Sequence, residues 1–233
     1  MSHNERLRQL SSNLEQVRAR ISAAAESCDR LASEVSLIVV TKNWPASDVH
    51  LLSALGVHDV GENRDQEAAS KHADCVDLAL RWHFVGGLQR NKCRSVARYA
   101  DVVHSVDRLE LVPALARAAE NAERHLDLCL QVSLDGAAGR EGAAPNELPR
   151  LAEAVLDEPA LDLIGLMAVA PLQTDPQAAF ARLGEIWADF QIRYPSVRML
   201  SAGMSEDLEA AIRNGATHVR VGTAVLGHRP DLR

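Results

Sequence analysis

The feature that most constrains this chain is the alternation of short apolar runs with helical patterns over about 190 of its 233 residues. Such runs, separated by helices, are typical of a parallel sheet covered on both faces. The eight runs are Val35–Thr41, His58–Gly61, Trp82–Gly86, Asp101–Ser105, Asp127–Ser133, Asp162–Met167, Arg198–Ser201 and His218–Gly222. Eight strands favour an α/β fold of the closed (β/α)₈ (TIM) barrel type over an open doubly wound sheet. No G-x-G-x-x-G fingerprint follows the first run, which argues against a dinucleotide-binding fold.

The N-terminal segment predicts an amphipathic helix. Ser2 and Glu5 have the spacing of a capping box. Apolar residues then recur at steps of three and four, which places them on one helix face: Leu7, Leu10, Leu14, Val17 and Ile21. We therefore predict one domain over residues 1–233, in which a helix within residues 1–28 packs on the barrel. A helix covered by its own barrel suits a monomer.

Further along the chain, the sequence predicts the ends of a late helix and one loop. Ser205 is placed to cap a helix that carries Leu208, Ala211 and Ile212, and Gly215 is placed to end it. The segment from Gly136 to Pro149 is rich in glycine and alanine, and it predicts a mobile loop at the barrel mouth.

Composition excludes several classes of protein. The net charge of −7 argues against a surface for nucleic acid or anionic membrane. The four cysteines lie far apart, so they predict free thiols and not a disulfide framework or a metal site. No apolar run reaches membrane length, and the N-terminus lacks the apolar core of a signal peptide. A cytoplasmic location is expected.

Chemistry in such a barrel lies at the carboxyl ends of the strands, and Lys42 follows the first predicted strand there. We expect a lysine in this place to be desolvated. Desolvation lowers the pKa of an amine, so that its neutral form can attack an aldehyde. The competing interpretation is a strand-end lysine that extends its amine into solvent. Position alone favours the second interpretation.

A second group of residues predicts an anion site after the last two strands. Gly203 permits close approach of the backbone, and Ser205 follows it in the same loop. Gly222 and Thr223 form another small turn after the eighth strand. Loops after strands seven and eight hold phosphate in many barrels of this type, so phosphate is favoured over a simple helix cap and turn.

Single residues add weaker signals. Arg220 lies between Val219 and Val221, so alternation turns it into the barrel, where it needs a partner. A ligand carboxylate, a pyridine nitrogen or Glu62 would serve. Asn63 either contacts a ring or caps a helix. His83 is expected to be a hydrogen-bonded core histidine, and Met167 and Trp82 are expected mainly to pack.

The chain also resembles a known family, the pyridoxal phosphate homeostasis proteins, which are relatives of the N-terminal barrel of alanine racemase. The likeness rests on motifs that span nearly the whole chain in the family's order: VVTKNWP (39–45), VGENRDQEA (60–68), WHFVGGLQRNK (82–92), VHSVD (103–107), GLMAVAP (165–171) and LSAGMSEDLEAAIRNGATHVRVGTAVLG (200–227). The resemblance implies a fold-type III barrel that binds pyridoxal 5′-phosphate (PLP), with its aldehyde held as an internal aldimine on Lys42.

The resemblance also assigns the other cofactor contacts. The phosphate would be held by Ser201, Ser205, Gly222 and Thr223, and Arg220 would face the pyridine nitrogen. Three positions complete the cofactor-binding set: Asn63, Met167 and Gly203.

Two functions from different classes remain after the resemblance. The first is a non-catalytic protein of vitamin B6 homeostasis that buffers PLP and delivers it to PLP-requiring apoenzymes. The second is an amino-acid racemase or a related fold-type III enzyme, which needs two acid–base groups. Because the resembling racemases take their second group from a C-terminal domain that we expect to be missing, the carrier is favoured. A further alternative is a barrel enzyme that forms a Schiff base between Lys42 and a phosphorylated substrate.

Overall fold

Eight parallel strands close into a barrel in chain order in a computed structural model that describes residues 2–136 and 141–227. The strands are β1 (Ser36–Val40), β2 (Asp59–Glu62), β3 (Arg81–Phe84), β4 (Val102–Val106), β5 (Leu126–Gln131), β6 (Leu161–Met167), β7 (Met199–Ser201) and β8 (His218–Val221). All eight predicted runs overlap these strands, and the predicted (β/α)₈ barrel is confirmed.

Helices surround the barrel because each strand's outward face is apolar and must be covered. The helices of the described residues are α1 (His3–Glu26), α2 (Ala46–Ala54), α3 (Asp65–Ala73), α4 (Cys93–Val96), α5 (Val112–Asn121), α6 (Leu148–Leu156), α7 (Pro176–Arg193), α8 (Leu208–Arg213) and α9 (Thr223–Leu226). Short 3₁₀ helices at Arg90–Lys92, Leu109–Leu111 and Pro145–Glu147 precede α4, α5 and α6, and another at Ala32–Glu34 precedes β1. No helix among the described residues is long and apolar enough to cross a membrane.

Helix α1 begins with the predicted capping box, in which Ser2 and Glu5 bond each other's backbone N–H groups. Its buried face includes Leu10, Leu14, Val17 and Ile21, as the spacing predicts. Polar contacts fix the helix on the last part of the barrel. Asn13 donates to the carbonyl of Val225 in α9, and Arg20 pairs with Glu209 in α8.

The loop predicted from Gly136 to Pro149 is shorter than expected. Ala143 forms an isolated parallel bridge with Val132, and the Pro145–Glu147 3₁₀ helix leads directly into α6. Proline is tolerated in the first turn of a helix, so the prolines at 145 and 149 start helices here and do not interrupt them. Residues 137–140 of the predicted loop lie outside the described part of the chain.

The inside of the barrel is divided between apolar and polar side chains. An apolar cluster is formed by Ile38, Val102, Cys129, Met167 and Met199. The polar part includes His83, His104, Ser201 and Arg220, all of them buried. The four cysteines are free thiols, as predicted. We call the end of the barrel at the carboxyl ends of the strands the mouth, and the opposite end the floor.

Candidate functional site

Lys42 lies in a turn at the mouth, two residues beyond the end of β1. The turn is closed by a hydrogen bond from the Trp44 N–H to the Thr41 carbonyl, at 3.0 Å. Asn43 has a φ of +66°, a conformation that asparagine tolerates at the third position of such a turn. Lys42 therefore projects from the apex of a defined turn.

Four side chains behind this turn form what we call the lysine cluster: Thr41, Glu62, Glu67 and Lys71. The Lys71 ammonium donates to the Thr41 carbonyl at 2.7 Å, to Glu62 at 2.5 Å and to Glu67 at 3.0 Å. The Thr41 hydroxyl donates to Glu62, and the Asn43 N–H donates to Glu67. The residues on both sides of Lys42 are thus fixed by one group of buried charges.

The expectation that Lys42 is desolvated is wrong, because its side chain is exposed. Thr41, the residue before Lys42, is fully buried against Glu62 on the helix-facing side of β1 and β2. The buried lysine is Lys71, whose side chain is 4% exposed. Of the chain's three lysines, Lys71 and Lys92 form ion pairs, whereas Lys42 has no ion pair or hydrogen bond with the described residues.

Ser205 and the start of α9 come together at the mouth, although not in the way that the sequence predicts. The prediction that Ser205 caps α8 is wrong, since Asp207 occupies the N-cap position. Asp207 accepts a hydrogen bond from the Met204 N–H at 2.6 Å, which closes the loop ahead of the helix. The Ser205 hydroxyl instead accepts from the N–H of Ala224 in α9, at 3.2 Å.

Gly203 keeps this loop close to the barrel. Its φ is +91°, and a Cβ atom there would lie 2.7 Å from the Ala211 side chain. Its carbonyl accepts from the Arg220 N–H at 2.9 Å. A side chain at this position would therefore push α8 away from the mouth.

The turn after β8 lies beside the turn that carries Lys42. Strands β1 and β8 pair with Val39 opposite Val221, and a Cβ atom on Gly222 would lie 3.2 Å from the Val40 carbonyl. Within residues 2–136 and 141–227, the N–H groups of Ser205, Gly222 and Thr223 donate to no acceptor. These free donors surround one part of the rim, next to Lys42.

Arg220 points into the barrel, as its apolar neighbours predict, since Val219 and Val221 pack outward against the helices. Its guanidinium donates to the Ser201 hydroxyl at 2.6 Å and to the Ala168 carbonyl at 2.9 Å. Burial lowers the pKa of Arg220 to about 10, so it remains a cation at neutral pH. The alternative of an Arg220–Glu62 salt bridge is wrong, because Glu62 pairs with Lys71.

Ser201 and Arg220 end a longer series of hydrogen bonds, which we call the histidine chain: Asp59, His83, His104, Ser201 and Arg220. Asp59 contacts His83 Nε2 at 2.9 Å, and His83 Nδ1 contacts His104 Nε2 at 2.9 Å. His104 Nδ1 contacts the Ser201 hydroxyl at 3.0 Å. The chain runs from the floor to the mouth. His83 is thus the hydrogen-bonded core histidine that the sequence predicts.

Burial determines the charge state of the histidine chain. It lowers the pKa of His83, against the opposing effect of Asp59, and lowers the pKa of His104 well below its ordinary value. For Asp59, burial raises the pKa, but the hydrogen bond and charge of His83 outweigh this and leave a net lowering. At neutral pH the chain therefore has two neutral imidazoles between an anion and a cation.

Asn63 and Met167 occupy different depths. Asn63 is half-buried at the end of β2, and its Oδ1 atom is buried without a hydrogen-bond partner among the described residues. Met167 is 2% exposed and belongs to the apolar cluster inside the barrel. Packing is its evident contribution, as expected from the sequence.

The sequence did not predict two buried polar residues of the candidate site, His104 and Lys71. His104 lies in the run VVHSV, whose five residues are all buried, so no alternation marks it as inward-facing. Lys71 had a usable signal. It follows Asp65 and Ala68 at steps of three, on the buried face of α3, and Glu67 precedes it by four residues.

Comparison with known proteins identifies relatives over nearly the whole chain. The model of the family described as alanine racemase, N-terminal domain, matches residues 7–230. A Pseudomonas aeruginosa protein named pyridoxal phosphate homeostasis protein is 44% identical, over 94% of this chain and 96% of its own length.

Solved structures extend the comparison. PipY of Synechococcus elongatus PCC7942, a COG0325 family member solved with PLP bound, is 37% identical with a TM-score of 0.79, covering 94% of this chain and all of PipY. An alanine racemase of Clostridium difficile has a TM-score of 0.71 at 14% identity, over 98% of this chain and 61% of the racemase. At that identity the racemase supports the fold alone.

Proposed function

Because the chain belongs to the alanine racemase N-terminal-domain family, we propose that it binds pyridoxal 5′-phosphate covalently through Lys42 and takes part in PLP homeostasis. Its relative is named for that role, and PipY was solved with PLP bound. We further propose that residues 1–233 form one domain. PLP is the proposed partner molecule, and PLP-requiring apoenzymes are the proposed recipients.

The observation that carries the proposal is the contrast among the three lysines. Lys71 and Lys92 are held by carboxylates, whereas Lys42 is exposed at the apex of its turn and has no partner in the described part of the chain. Lys42 would hold the cofactor through its amine, and PLP would supply the aldehyde for this attachment, with the aldehyde oxygen released as water. Exposure lets this reaction proceed without any opening of the fold.

The residues around Lys42 fit the rest of the cofactor. The N–H groups of Ser205, Gly222 and Thr223, which have no acceptor among the residues that the structure describes, form a cradle for a phosphate group beside the Lys42 turn. The Oδ1 of Asn63, which has no hydrogen-bond partner within residues 2–136 and 141–227, offers a contact for a polar substituent of the ring. When bound, PLP supplies an aldehyde for attachment and a ring that can accept electrons.

Arg220 is consistent with a carrier, although fold-type III racemases also use an arginine at the pyridine nitrogen. A guanidinium donates a hydrogen bond to a ring nitrogen but keeps its own proton, since Arg220 remains a cation at neutral pH. An unprotonated ring is a weaker electron sink for a carbanion. The role named for the relative favours a carrier, and we propose that the protein holds PLP without a physiological catalytic cycle.

Absorbance spectroscopy tests the proposal. The purified protein incubated with PLP should show a band near about 420 nm, which is typical of the Schiff base of this cofactor. Lys42→Ala should lose the band, whereas Lys92→Ala should keep it because Lys92 is paired with Asp65. A band that persists in Lys42→Ala would contradict the proposal.

A racemisation assay separates the two functions. With PLP-loaded protein and L-alanine, we expect no turnover at ordinary enzymatic rates, which are about 1–10³ s⁻¹. Turnover within that range, abolished by Lys42→Ala, would show a racemase and contradict the carrier.

A further inference from the structure

The direction of the hydrogen bonds in the histidine chain follows from its two ends. An ionised Asp59 carboxylate can only accept, so His83 Nε2 donates to it. The other nitrogen of a neutral His83 then accepts from His104 Nε2, which leaves His104 Nδ1 to accept from the Ser201 hydroxyl. The lone pairs of Ser201 receive the Arg220 N–H. Every donor in the chain points from the mouth toward the floor.

The opposite direction would require a buried cation at His83. A doubly protonated His83 would donate to His104, which would in turn donate to Ser201. That arrangement places an imidazolium inside the barrel that already contains the Arg220 guanidinium. Burial opposes it, since it lowers the pKa values of both histidines. The mouth-to-floor direction is therefore the one that the neutral imidazoles adopt.

Arg220 depends on this chain because little else in the barrel can hold it. Among the described residues, it forms no salt bridge with a carboxylate, and its only side-chain hydrogen bonds go to Ser201 and Ala168. The interior also contains the apolar cluster around Met167 and Met199, which offers no acceptor side chain. A buried cation needs compensation, and the chain of aligned donors connects it to the Asp59 carboxylate.

We infer that Ser201, His104 and His83 are positioning residues that hold the Arg220 guanidinium in one orientation, with its remaining N–H donors aimed at the mouth. The inference rests on the proposed function for its target, the pyridine nitrogen of PLP. It gives Ser201 a role different from the phosphate contact expected from the sequence. The Ser201 hydroxyl donates its hydrogen to His104 and is fully buried beneath Arg220.

The first test needs no cofactor. Long-range ¹H–¹⁵N correlation spectra of the ¹⁵N-labelled, cofactor-free protein near pH 7.5 report which ring nitrogen of each histidine carries hydrogen. We expect His83 and His104 to be neutral with hydrogen on Nε2, and His83→Gln and His104→Gln spectra assign the two signals. A doubly protonated His83, or hydrogen on His104 Nδ1, would reverse the chain and overturn the inference.

The second test compares two ligands, PLP and pyridoxal, which lacks the phosphate. Ser201→Ala should weaken the binding of both by about tenfold, the usual effect of losing a hydrogen bond to a charged group. Ser105→Ala is the matched control. Ser105 is also a buried serine of the barrel, but its hydroxyl has no partner among the described residues, so we expect unchanged affinities.

The outcomes of the second test are distinct. A loss confined to PLP would place Ser201 at the phosphate, and unchanged binding of both ligands would show that Arg220 needs no support; either result overturns the inference. If the wild-type protein bound neither ligand, the proposed function would fail. The histidine spectra of the cofactor-free protein would then still decide whether the chain has the inferred direction.

Discussion

Two polar networks reach the mouth of this barrel from different directions, and they are built on opposite electrostatic principles. The lysine cluster lies outside β1 and β2 and consists of charges in direct contact, with Lys71 between Glu62 and Glu67. The histidine chain lies inside the barrel, where neutral imidazoles separate Asp59 from Arg220. The first network fixes the turn that carries Lys42, and the second fixes Arg220.

This difference determines how each network can fail. In the lysine cluster, the loss of one partner leaves a buried charge without compensation, which is among the most destabilising changes in proteins. In the histidine chain, whether a group donates or accepts a hydrogen bond depends on which atoms of its neighbours are protonated. That network is therefore sensitive to acid, which adds protons to it.

The largest effect is expected from Lys71→Met. This variant leaves Glu62 buried beside an apolar side chain, and the free energy of unfolding should fall by about 3–5 kcal/mol. Urea denaturation followed by circular dichroism measures the change. The double variant Glu62→Gln/Lys71→Met should recover much of the loss because it removes both charges. A loss below about 1 kcal/mol in the single variant would remove the contrast between the two networks.

Acid should weaken the interior of the barrel next. Burial, together with the nearby charge of His83, lowers the pKa of His218 at the floor to about 4, and the pKa values of His83 and His104 are lowered as well. Between pH 6.5 and the lowered pKa values of these histidines, the unfolded chain binds more protons than the folded chain. Stability must therefore fall as the pH falls through this range.

The expected loss from His218 alone is about 2 kcal/mol between pH 6.5 and 5. Glu62 acts in the opposite sense, because burial raises its pKa despite the charge of Lys71, so its contribution grows as the pH falls toward 4.5. Urea denaturation at a series of pH values measures how the free energy of unfolding depends on pH. This dependence should be weaker for His218→Asn than for the wild type. The same pH dependence in both proteins would contradict the burial of a neutral His218 at the floor.

The smallest effect is expected from Asp59→Asn, at the far end of the histidine chain. The amide still accepts a hydrogen bond from His83 but lacks the charge, so PLP affinity should fall only about two- to threefold. Equilibrium titration with PLP measures it. Asp162→Asn is the control, since that carboxylate pairs with His125 at the surface. An unchanged PLP affinity in Asp59→Asn would show that the histidine chain does not connect the floor to the mouth.

The fold was predictable because its signals are local and repeated. Each strand is a short apolar run between helices, and each run predicts the ends of its strand to within two residues. The remaining difference arises because the exact ends depend on hydrogen bonding with the neighbouring strands. The stripe of Leu10, Leu14, Val17 and Ile21 likewise predicts the buried face of α1. These patterns depend only on which residues are buried, and the spacing of apolar residues in the sequence shows that directly.

The site was predictable only in part, because its polar contacts join residues far apart in the chain. The inward direction of Arg220 followed from alternation, but its bond to Ser201 depends on the pairing of β7 with β8. The turn that carries Lys42 depends on Glu62, twenty residues later, which accepts a hydrogen bond from the Thr41 hydroxyl. Sequence spacing contains no information on such contacts.

The central claim is that one amine of the chain holds the cofactor, and the chain's three lysines make a direct measurement possible. Borohydride reduction of the PLP-loaded protein fixes the cofactor on its amine, and mass spectrometry of proteolytic peptides then identifies that amine. We expect the added mass on the peptide that contains Lys42. An adduct on the peptides of Lys71 or Lys92, with Lys42 unmodified, would contradict it.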